Sequence, residues 1–308
     1  MTRTIPVERV LDRIDPELRA GLVGSIVAEL PDGPVDVALV RALDARLASW
    51  TRLDDVQVER VARDDGSALE LRVHPGGLGD AAILWLHGGG MFLGAAWTDD
   101  VFCRDLARDA GATVVAVDYR LAPEHPHPAA LDDAVLALAW VARRHVRVVV
   151  AGASAGGGIA AGLALRTRDD GGPAIAAQHL YYPMLDDRGE TASSIELAYT
   201  AMWNRRLNEL GWAAYLGGLP ADGYAAPARA DDLTGLPPAY IDTGELDLFR
   251  DEDAAYALRL AAAGVPVELH LERGAVHAFE VIAPDAAVSR AARARRIHAL
   301  RRDLRGRP

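Results

Sequence analysis

The chain has 308 residues, of which 50% are hydrophobic, and it carries a formal net charge of −11. This length fits one large α/β domain with an excursion, and the acidic charge argues against nucleic acid or an anionic membrane as a partner. The single cysteine excludes an intramolecular disulfide and a structural zinc site built on cysteines, and the lack of lysine excludes Schiff-base chemistry.

The N-terminal segment, residues 1–50, is predicted to be helical. Apolar residues recur there at every fourth position, namely Val10, Ile14, Leu18 and Leu22. The first residues are charged throughout and lack the apolar core of a signal peptide, and no apolar run reaches membrane-spanning length. We therefore expect a cytoplasmic protein with no membrane span.

Strands and helices alternate through most of the remaining chain. The alternating segments "VQVERVA" and "ALELRVH" flank the turn Asp65–Gly66 and predict a hairpin. After it, helical segments separate the predicted strands "AAILWLH", "TVVAVDY", "VRVVV", "PAYIDTG" and "PVELHLE", and an arginine-rich helix ends the chain. This pattern is typical of βαβ units, so we expect the α/β class, with a mostly parallel sheet covered by helices on both faces.

Residues from about 186 to 225 interrupt the alternation with helical, aromatic-rich sequence. We expect an insertion at the strand ends, where open α/β sheets bind ligands. Together with residues 1–50 it would form a helical cap; the alternative is a set of ordinary surface helices. The predicted organisation is therefore a cap segment at 1–50 and a catalytic domain at 51–308, with a second cap segment at about 186–225.

The link Gly152–Gly156 joins a short β-branched strand to a helix that starts near Ala155, and it fits the pattern G-x-S-x-G around Ser154. In that pattern the serine occupies a strained strand-to-helix turn with its hydroxyl exposed at the top of the sheet. The glycines avoid collisions with the adjacent backbone. The pentapeptide alone also fits a glycine-rich turn, including one that binds phosphate.

The chain order serine, acid, histidine restricts the candidate base to the late histidines. His270 alternates with glutamates on a strand face, and His298 lies in the basic C-terminal helix. His277 lies in a loop directly after a strand, which makes it the candidate base. For the acid, the loop after the preceding strand leaves Glu245 and Asp247, and position alone does not separate them.

Three consecutive glycines follow another strand in "LWLHGGGMFLG". This is the HGGG type of oxyanion loop, whose backbone N–H groups face the cleft because no side chains intervene. The predicted donors are the N–H groups of Gly88 and Gly89, together with that of Ala155, the residue after the serine.

These motifs resemble those of the bacterial hormone-sensitive-lipase-like esterases, a family of α/β-hydrolases. The resemblance covers nearly the whole chain and rests on "HGGGMFLG", "DYRLAPEHPHPAALDD", "GASAGGGIAAGLAL", "YPMLDDR", "GWAAYLG" and "LPPAYIDTGELDLFRDEDAAYALRLAAAGVPVELHLERGAVHAF". It implies an α/β-hydrolase fold with an N-terminal helical cap, short-chain ester substrates, no cofactor and often a homodimer. It also implies that Asp247 is the acid. The chain departs from the family pattern at Ala153, where many members have an acidic residue, and at Ala278, where the family has glycine.

The expected function is hydrolysis of short-chain carboxylic esters by a serine acyl-enzyme mechanism that needs no metal. An amidase or formamidase would use the same residues, and a non-catalytic small-molecule receptor of the same fold is disfavoured because the triad is intact. A role of the C-terminal arginines in DNA binding is disfavoured because a solvated helix face explains them. The candidate site consists of Ser154, Asp247, His277, Gly88, Gly89 and Ala155.

Overall fold

A central sheet of eight strands organises the chain, in a computed structural model that describes residues 7–22, 30–31, 33–47, 52–77, 79–200 and 202–306. The strand order is β1-β2-β4-β3-β5-β6-β7-β8, antiparallel at β1–β2 and β2–β4 and parallel elsewhere. The expected mostly parallel α/β sheet is therefore confirmed. The strands are β1 (Gln57–Ala62), β2 (Ala68–His74), β3 (Ala81–Leu86), β4 (Thr113–Val117), β5 (Arg147–Ala153), β6 (Ala177–Tyr181), β7 (Ala239–Gly244) and β8 (Val267–Glu272).

Helices cover both faces of this sheet. In β3, Leu84 packs in one hydrophobic cluster with helices α5 (Ala129–Ala142), α6 (Ala155–Asp169) and α9 (Arg250–Ala262). The next residue, Trp85, packs in a second cluster with helices α4 (Asp100–Ala110) and α11 (Ala287–Arg305). Burial on both faces explains why the parallel strands are almost continuously apolar. The described α-helices are α1 (Val7–Arg13), α2 (Pro16–Arg19), α3 (Val37–Leu47), α4 (Asp100–Ala110), α5 (Ala129–Ala142), α6 (Ala155–Asp169), α7 (Ala192–Glu196), α8 (Arg205–Leu216), α9 (Arg250–Ala262), α10 (Phe279–Ile282) and α11 (Ala287–Arg305).

The N-terminal segment differs from a single regular helix. Ile14 and Leu18 are both buried, but α1 ends at Arg13 and α2 begins at Pro16. The side chain of Asp15 caps the second helix by accepting a hydrogen bond from the Glu17 N–H at 2.9 Å. A proline at the first helical position follows this cap and fixes the new helix start. Residues 1–6, 23–29, 32 and 48–50 of the predicted helical segment lie outside the described residues.

Strand β6 was not predicted from the sequence. Its residues Gln178 and His179 are polar but fully buried, so they hide the strand in a search for apolar runs. Both find distant partners: the Gln178 amide donates to the carbonyl of Pro237 at 3.0 Å, and His179 Nε2 lies 2.9 Å from Asp303 Oδ2. Among the described helices, none is long and apolar enough to cross a bilayer.

Candidate active site

Ser154 occupies a sharp turn between β5 and α6. Its backbone has φ 55° and ψ −120°, a left-handed conformation that is rare for a residue with a side chain. A Cβ atom added at Gly152 would lie 2.3 Å from the carbonyl oxygen of Gly156, and one added at Gly156 would lie 2.0 Å from that of Leu86. The two glycines are therefore required by close backbone approach, and the turn presents the Ser154 hydroxyl at the strand end.

The structure brings Ser154, His277 and Asp247 together although they are far apart in the chain. His277 Nε2 lies 3.0 Å from Ser154 Oγ, and His277 Nδ1 lies 2.8 Å from Asp247 Oδ2. All three residues are buried, with Asp247 fully excluded from solvent. With a proton on Nδ1, the imidazole donates to Asp247 and accepts from the serine hydroxyl, which is the arrangement that lets a histidine act as base toward a serine.

The geometry separates the two acids that the sequence left open. Glu245 accepts hydrogen bonds from the Gly274 N–H and from Arg13, each at 2.9 Å, so it ties the histidine loop to α1. Asp247 points the other way: one carboxylate oxygen faces His277, and the other accepts from the Phe249 N–H at 3.0 Å. Asp247 is therefore the carboxylate in contact with the imidazole.

The glycine loop after β3 lies directly beside the serine. A Cβ atom at Gly88 would lie 3.5 Å from Ser154 Cβ, which measures how closely the two segments approach. Gly89 has φ 112°, and a side chain there would collide with the carbonyl oxygen of Leu93 at 2.3 Å. Within the described part of the chain, no acceptor takes the N–H groups of Gly88, Gly89 or Ala155. Three donors therefore remain available next to the serine hydroxyl.

Ala278 adopts a glycine-like conformation in the histidine loop. Its φ is 53° and its ψ is 35°, and it directly follows His277. The left-handed region costs an alanine about 1 kcal/mol or more. The alanine at this position therefore introduces local strain that a glycine would not have.

Aromatic rings that the sequence analysis did not assign to the site surround the imidazole. Tyr182 and Phe249 meet the His277 ring edge to face, with ring centroids 4.8 and 5.2 Å away, and the Trp203 ring lies at 6.4 Å. Tyr182 begins the motif "YPMLDDR" and directly follows β6, so its position at a strand end was the available signal. The rings exclude water around the imidazole and restrict its orientation.

A cavity of about 610 Å³ opens at Ser154 and His277. Its lining is largely apolar and includes the apolar and aromatic residues Trp85, Phe102, Leu106, Tyr181 and Ile297. A concave apolar pocket of this size with a few polar groups is typical of a site for a small organic molecule.

A buried ion network lies next to this cavity. Arg296 forms a two-pronged ion pair with Asp242, with N···O distances of 2.6 and 2.8 Å, and also contacts Glu280. Although burial opposes it, these carboxylates hold the pKa of Arg296 well above its usual range. The Tyr182 hydroxyl donates to Glu280 at 2.6 Å, and burial together with that carboxylate raises the pKa of Tyr182, so the phenol keeps its proton.

Tyr119, which follows β4, supports the base of the glycine loop. The Tyr119 hydroxyl donates to the carbonyl of His87 at 2.8 Å, and the two rings stack with centroids 4.1 Å apart. His87 immediately precedes Gly88, so Tyr119 fixes the base of the glycine loop.

Comparison with known proteins gives a consistent result. Residues 83–281 match a family model described as the α/β hydrolase fold. Esterase LipI of Mycobacterium tuberculosis is 45% identical over 215 residues, and that match covers 64% of this chain and 65% of the relative. The match thus spans just under two thirds of that relative's length.

Solved structures extend the similarity to nearly the full chain. A structure titled Bacterial Heroin Esterase is 38% identical with a TM-score of 0.84, and the match covers 96% of this chain and 99% of that chain. An esterase described as a member of the bacterial hormone-sensitive lipase family is 32% identical with a TM-score of 0.82, and the match covers 94% and 99% of the two chains.

Proposed function

The chain belongs to the α/β-hydrolase fold family, among the bacterial hormone-sensitive-lipase-like esterases, and we propose that it hydrolyses short-chain carboxylic esters through Ser154, His277 and Asp247. The observation that carries this proposal is the continuous contact from Asp247 to His277 at 2.8 Å and from His277 to Ser154 at 3.0 Å. A serine hydroxyl becomes an effective nucleophile only with such a base, and the base needs an orienting carboxylate.

The first half of the reaction forms an acyl-enzyme. His277 Nε2 accepts the Ser154 proton while Oγ attacks the ester carbonyl carbon, and Asp247 stabilises the resulting imidazolium. The tetrahedral intermediate collapses as its C–O bond to the alcohol breaks, and His277 returns the proton to the departing alkoxide oxygen. In the second half, water attacks the acyl-enzyme with His277 again as base, and the carboxylic acid and free serine are released.

The oxyanion that develops on the carbonyl oxygen requires donors already in place. The N–H groups of Gly88, Gly89 and Ala155 are candidates because no described acceptor takes them and the glycine loop adjoins Ser154. Loss of a single such donor in serine hydrolases costs about 10²–10³ in kcat. The start of α6 adds the positive end of its helix dipole at the same point.

The size of the cavity supports short acyl chains. About 610 Å³ is shared between the reacting carbonyl, the acyl group and the alcohol, and Phe102, Leu106 and Ile297 are among the lining residues. Large side chains in the lining restrict the space left for an acyl chain at Ser154.

We assign the cap to residues 1–50 and about 186–225. From the first segment, Arg41 on α3 donates to the carbonyl of Phe92 at 2.9 Å, close to the glycine loop. From the second, Trp203 lies so close to Gly90 that a Cβ atom there would meet its ring at 2.3 Å. Both segments thus contact the strand-end loops that surround the serine, where a cap would exclude water.

The test is hydrolysis of p-nitrophenyl acetate by wild type, Ser154→Ala and Asp247→Asn. We expect each substitution to lower kcat by about 10⁴-fold or more, from the losses seen when triad members are removed. Glu245→Gln is the matched control, because Glu245 lies on the same loop but contacts Gly274 and Arg13, and it should stay within a few-fold of wild type. Equal turnover by wild type and Ser154→Ala would refute the mechanism.

A further inference from the structure

Asp99 is a carboxylate in the cavity wall that lacks a positive partner. It directly precedes α4, lines the same cavity as Ser154 and is only partly exposed. The indole N–H of Trp85 donates to its Oδ2 at 2.7 Å. Among the described residues, none donates to Oδ1 and no cationic side chain pairs with the group. Burial raises the pKa of Asp99, as expected for a carboxylate without a counter-charge.

The arginines of the cavity are committed to other acids. Arg293 lies 2.8 Å from Asp109 and 3.5 Å from Asp105, and Arg296 lies between Asp242 and Glu280. Each cation of the wall therefore has two carboxylate neighbours, whereas Asp99 has no cationic neighbour within the described chain. The cavity thus offers a carboxyl group without an ion-pair partner to whatever enters it.

The other charged or titratable groups near Asp99 do not neutralise it. Burial lowers the pKa of His87, although its attraction to Asp99 opposes that shift. The adjacent Asp100 is itself saturated by a two-pronged ion pair with Arg72 at 2.6 Å. Within the described chain, neither group forms a hydrogen bond or an ion pair with the Asp99 carboxylate.

Aromatic faces adjoin this carboxylate. The ring of Trp85, which holds Asp99, lies 4.7 Å from that of Phe102 and 5.9 Å from that of Tyr181, and all three residues line the cavity. Aromatic rings next to a carboxylate provide the two interactions that bind an organic ammonium group, namely ion pairing and cation–π contact.

We propose that Asp99 is a specificity-determining residue that favours ester substrates carrying an ammonium group. This inference rests on the proposed esterase function and deepens it, because it names the chemical class of the substrate. The free oxygen of Asp99 would pair with a protonated or quaternary nitrogen, and the rings of Trp85 and Phe102 would contact its alkyl substituents.

Pairs of esters that differ only in charge test the proposal. Acetylcholine is compared with 3,3-dimethylbutyl acetate, in which carbon replaces the nitrogen, so that the charge is on the alcohol side. Ethyl trimethylammonioacetate and ethyl 3,3-dimethylbutanoate place the same difference on the acyl side. The readout is the ratio of kcat/KM for the charged ester to that for the neutral ester, and comparing this ratio between enzyme variants cancels the intrinsic reactivity of each ester.

Asp99→Asn removes the charge while its amide oxygen can still accept the Trp85 N–H. We expect this substitution to lower the ratio by roughly tenfold or more for at least one pair, the scale of a partly buried charge interaction. Asp231→Asn removes an exposed carboxylate away from the cavity and should leave both ratios unchanged. Ratios for Asp99→Asn within twofold of wild type in both pairs would overturn the proposal.

A binding measurement covers the case in which Asp99→Asn does not fold or no ester is turned over. Calorimetry compares wild-type binding of choline with that of 3,3-dimethylbutan-1-ol, its neutral isostere. We expect choline to bind roughly tenfold more tightly, and equal affinities would overturn the role of Asp99. Failure to hydrolyse p-nitrophenyl acetate as well as the four esters would instead refute the esterase function, and equal affinities for choline and its isostere would separately overturn the role of Asp99.

Discussion

The close approach of Gly156 to the end of β3 permits a quantitative test of the serine turn. The Cβ atom of an alanine would lie 2.0 Å from the Leu86 carbonyl oxygen and 2.4 Å from that of His87. Real contacts of this type are essentially never shorter than 3.0 Å, so the backbone must move by about 1 Å. The segments that can move carry Ser154 or the glycine loop. A misplacement of about 1 Å costs about 100-fold in rate, so we expect Gly156→Ala to lower kcat/KM by about that factor.

The assay is kcat/KM for p-nitrophenyl acetate, with melting temperature as the measure of folding. Gly172→Ala is the control, because Gly172 lies in an exposed turn after α6 and its Cβ atom would approach the Thr167 methyl group to 3.0 Å, a contact that a shift of a few tenths of an ångström relieves. It should keep near wild-type activity. A folded Gly156→Ala enzyme with kcat/KM within threefold of wild type would refute the steric reasoning.

Four further predictions concern stability and substrate range. Burial lowers the pKa of His74 from 6.5 to about 4. Between pH 6.5 and about 4, the histidine therefore carries a proton in the unfolded chain but not in the folded chain. The free energy of unfolding should fall by up to about 3 kcal/mol as the pH drops through this range. Urea titrations of His74→Gln should lose most of that slope, and an unchanged slope would contradict the assignment. Arg296→Met leaves Asp242 buried without its cation and should cost about 3–5 kcal/mol in urea unfolding; a loss below about 1 kcal/mol would show that the pair is dispensable. Ala278→Gly should raise the free energy of unfolding by about 1 kcal/mol by relieving the left-handed alanine, and a loss of stability would count against strain there. Phe102→Ala enlarges the cavity and should shift the preferred p-nitrophenyl ester toward longer acyl chains; an unchanged chain-length profile would place the acyl group elsewhere.

The sequence predicted the architecture because the α/β alternation and its turns are local signals. The Asp65–Gly66 hairpin, the strand before Gly88 and the helix from Ala155 lie where the patterns indicated. These elements depend on residues that are close in the chain, such as the glycine that ends α4 in a left-handed conformation at position 111.

The parts that escaped prediction depend on contacts between distant residues. His179 in β6 is a buried strand residue only because Asp303, from α11, reaches it. Glu252 has the position of an ordinary first-turn acid of α9, yet it is buried and accepts the N–H groups of Leu185 and Asp186 at 2.8 and 3.1 Å. Neither partner can be identified from spacing alone, because the fold brings them together.

The choice between Glu245 and Asp247 shows the same limit on the scale of two residues. Both carboxylates follow β7, and only the path of the loop decides which one faces His277. The hydrogen bond of the Glu245 N–H to the carbonyl of Glu272 at 2.8 Å and that of the Leu246 N–H to Ala275 at 2.9 Å bind this loop to the one after β8. The pairing directs Glu245 toward Arg13 and leaves Asp247 on the inner side.

The strand order explains why the site contains Tyr182 in addition to its acid, base and serine. Ser154 follows β5, whereas Asp247 and His277 follow β7 and β8, so the histidine loop must reach back across three strand spacings, or roughly 14 Å. Tyr182, the residue after β6, lies in that interval, with its ring against His277 at 4.8 Å and its hydroxyl held by Glu280 at 2.6 Å. Its backbone is left-handed with φ 37°, a strain that the Tyr182 N–H hydrogen bond to the Asp242 carbonyl at 2.6 Å helps to offset. Because the fixed ring of Tyr182 packs against the imidazole of His277, the distance from the imidazole to the serine does not depend on the long histidine loop alone.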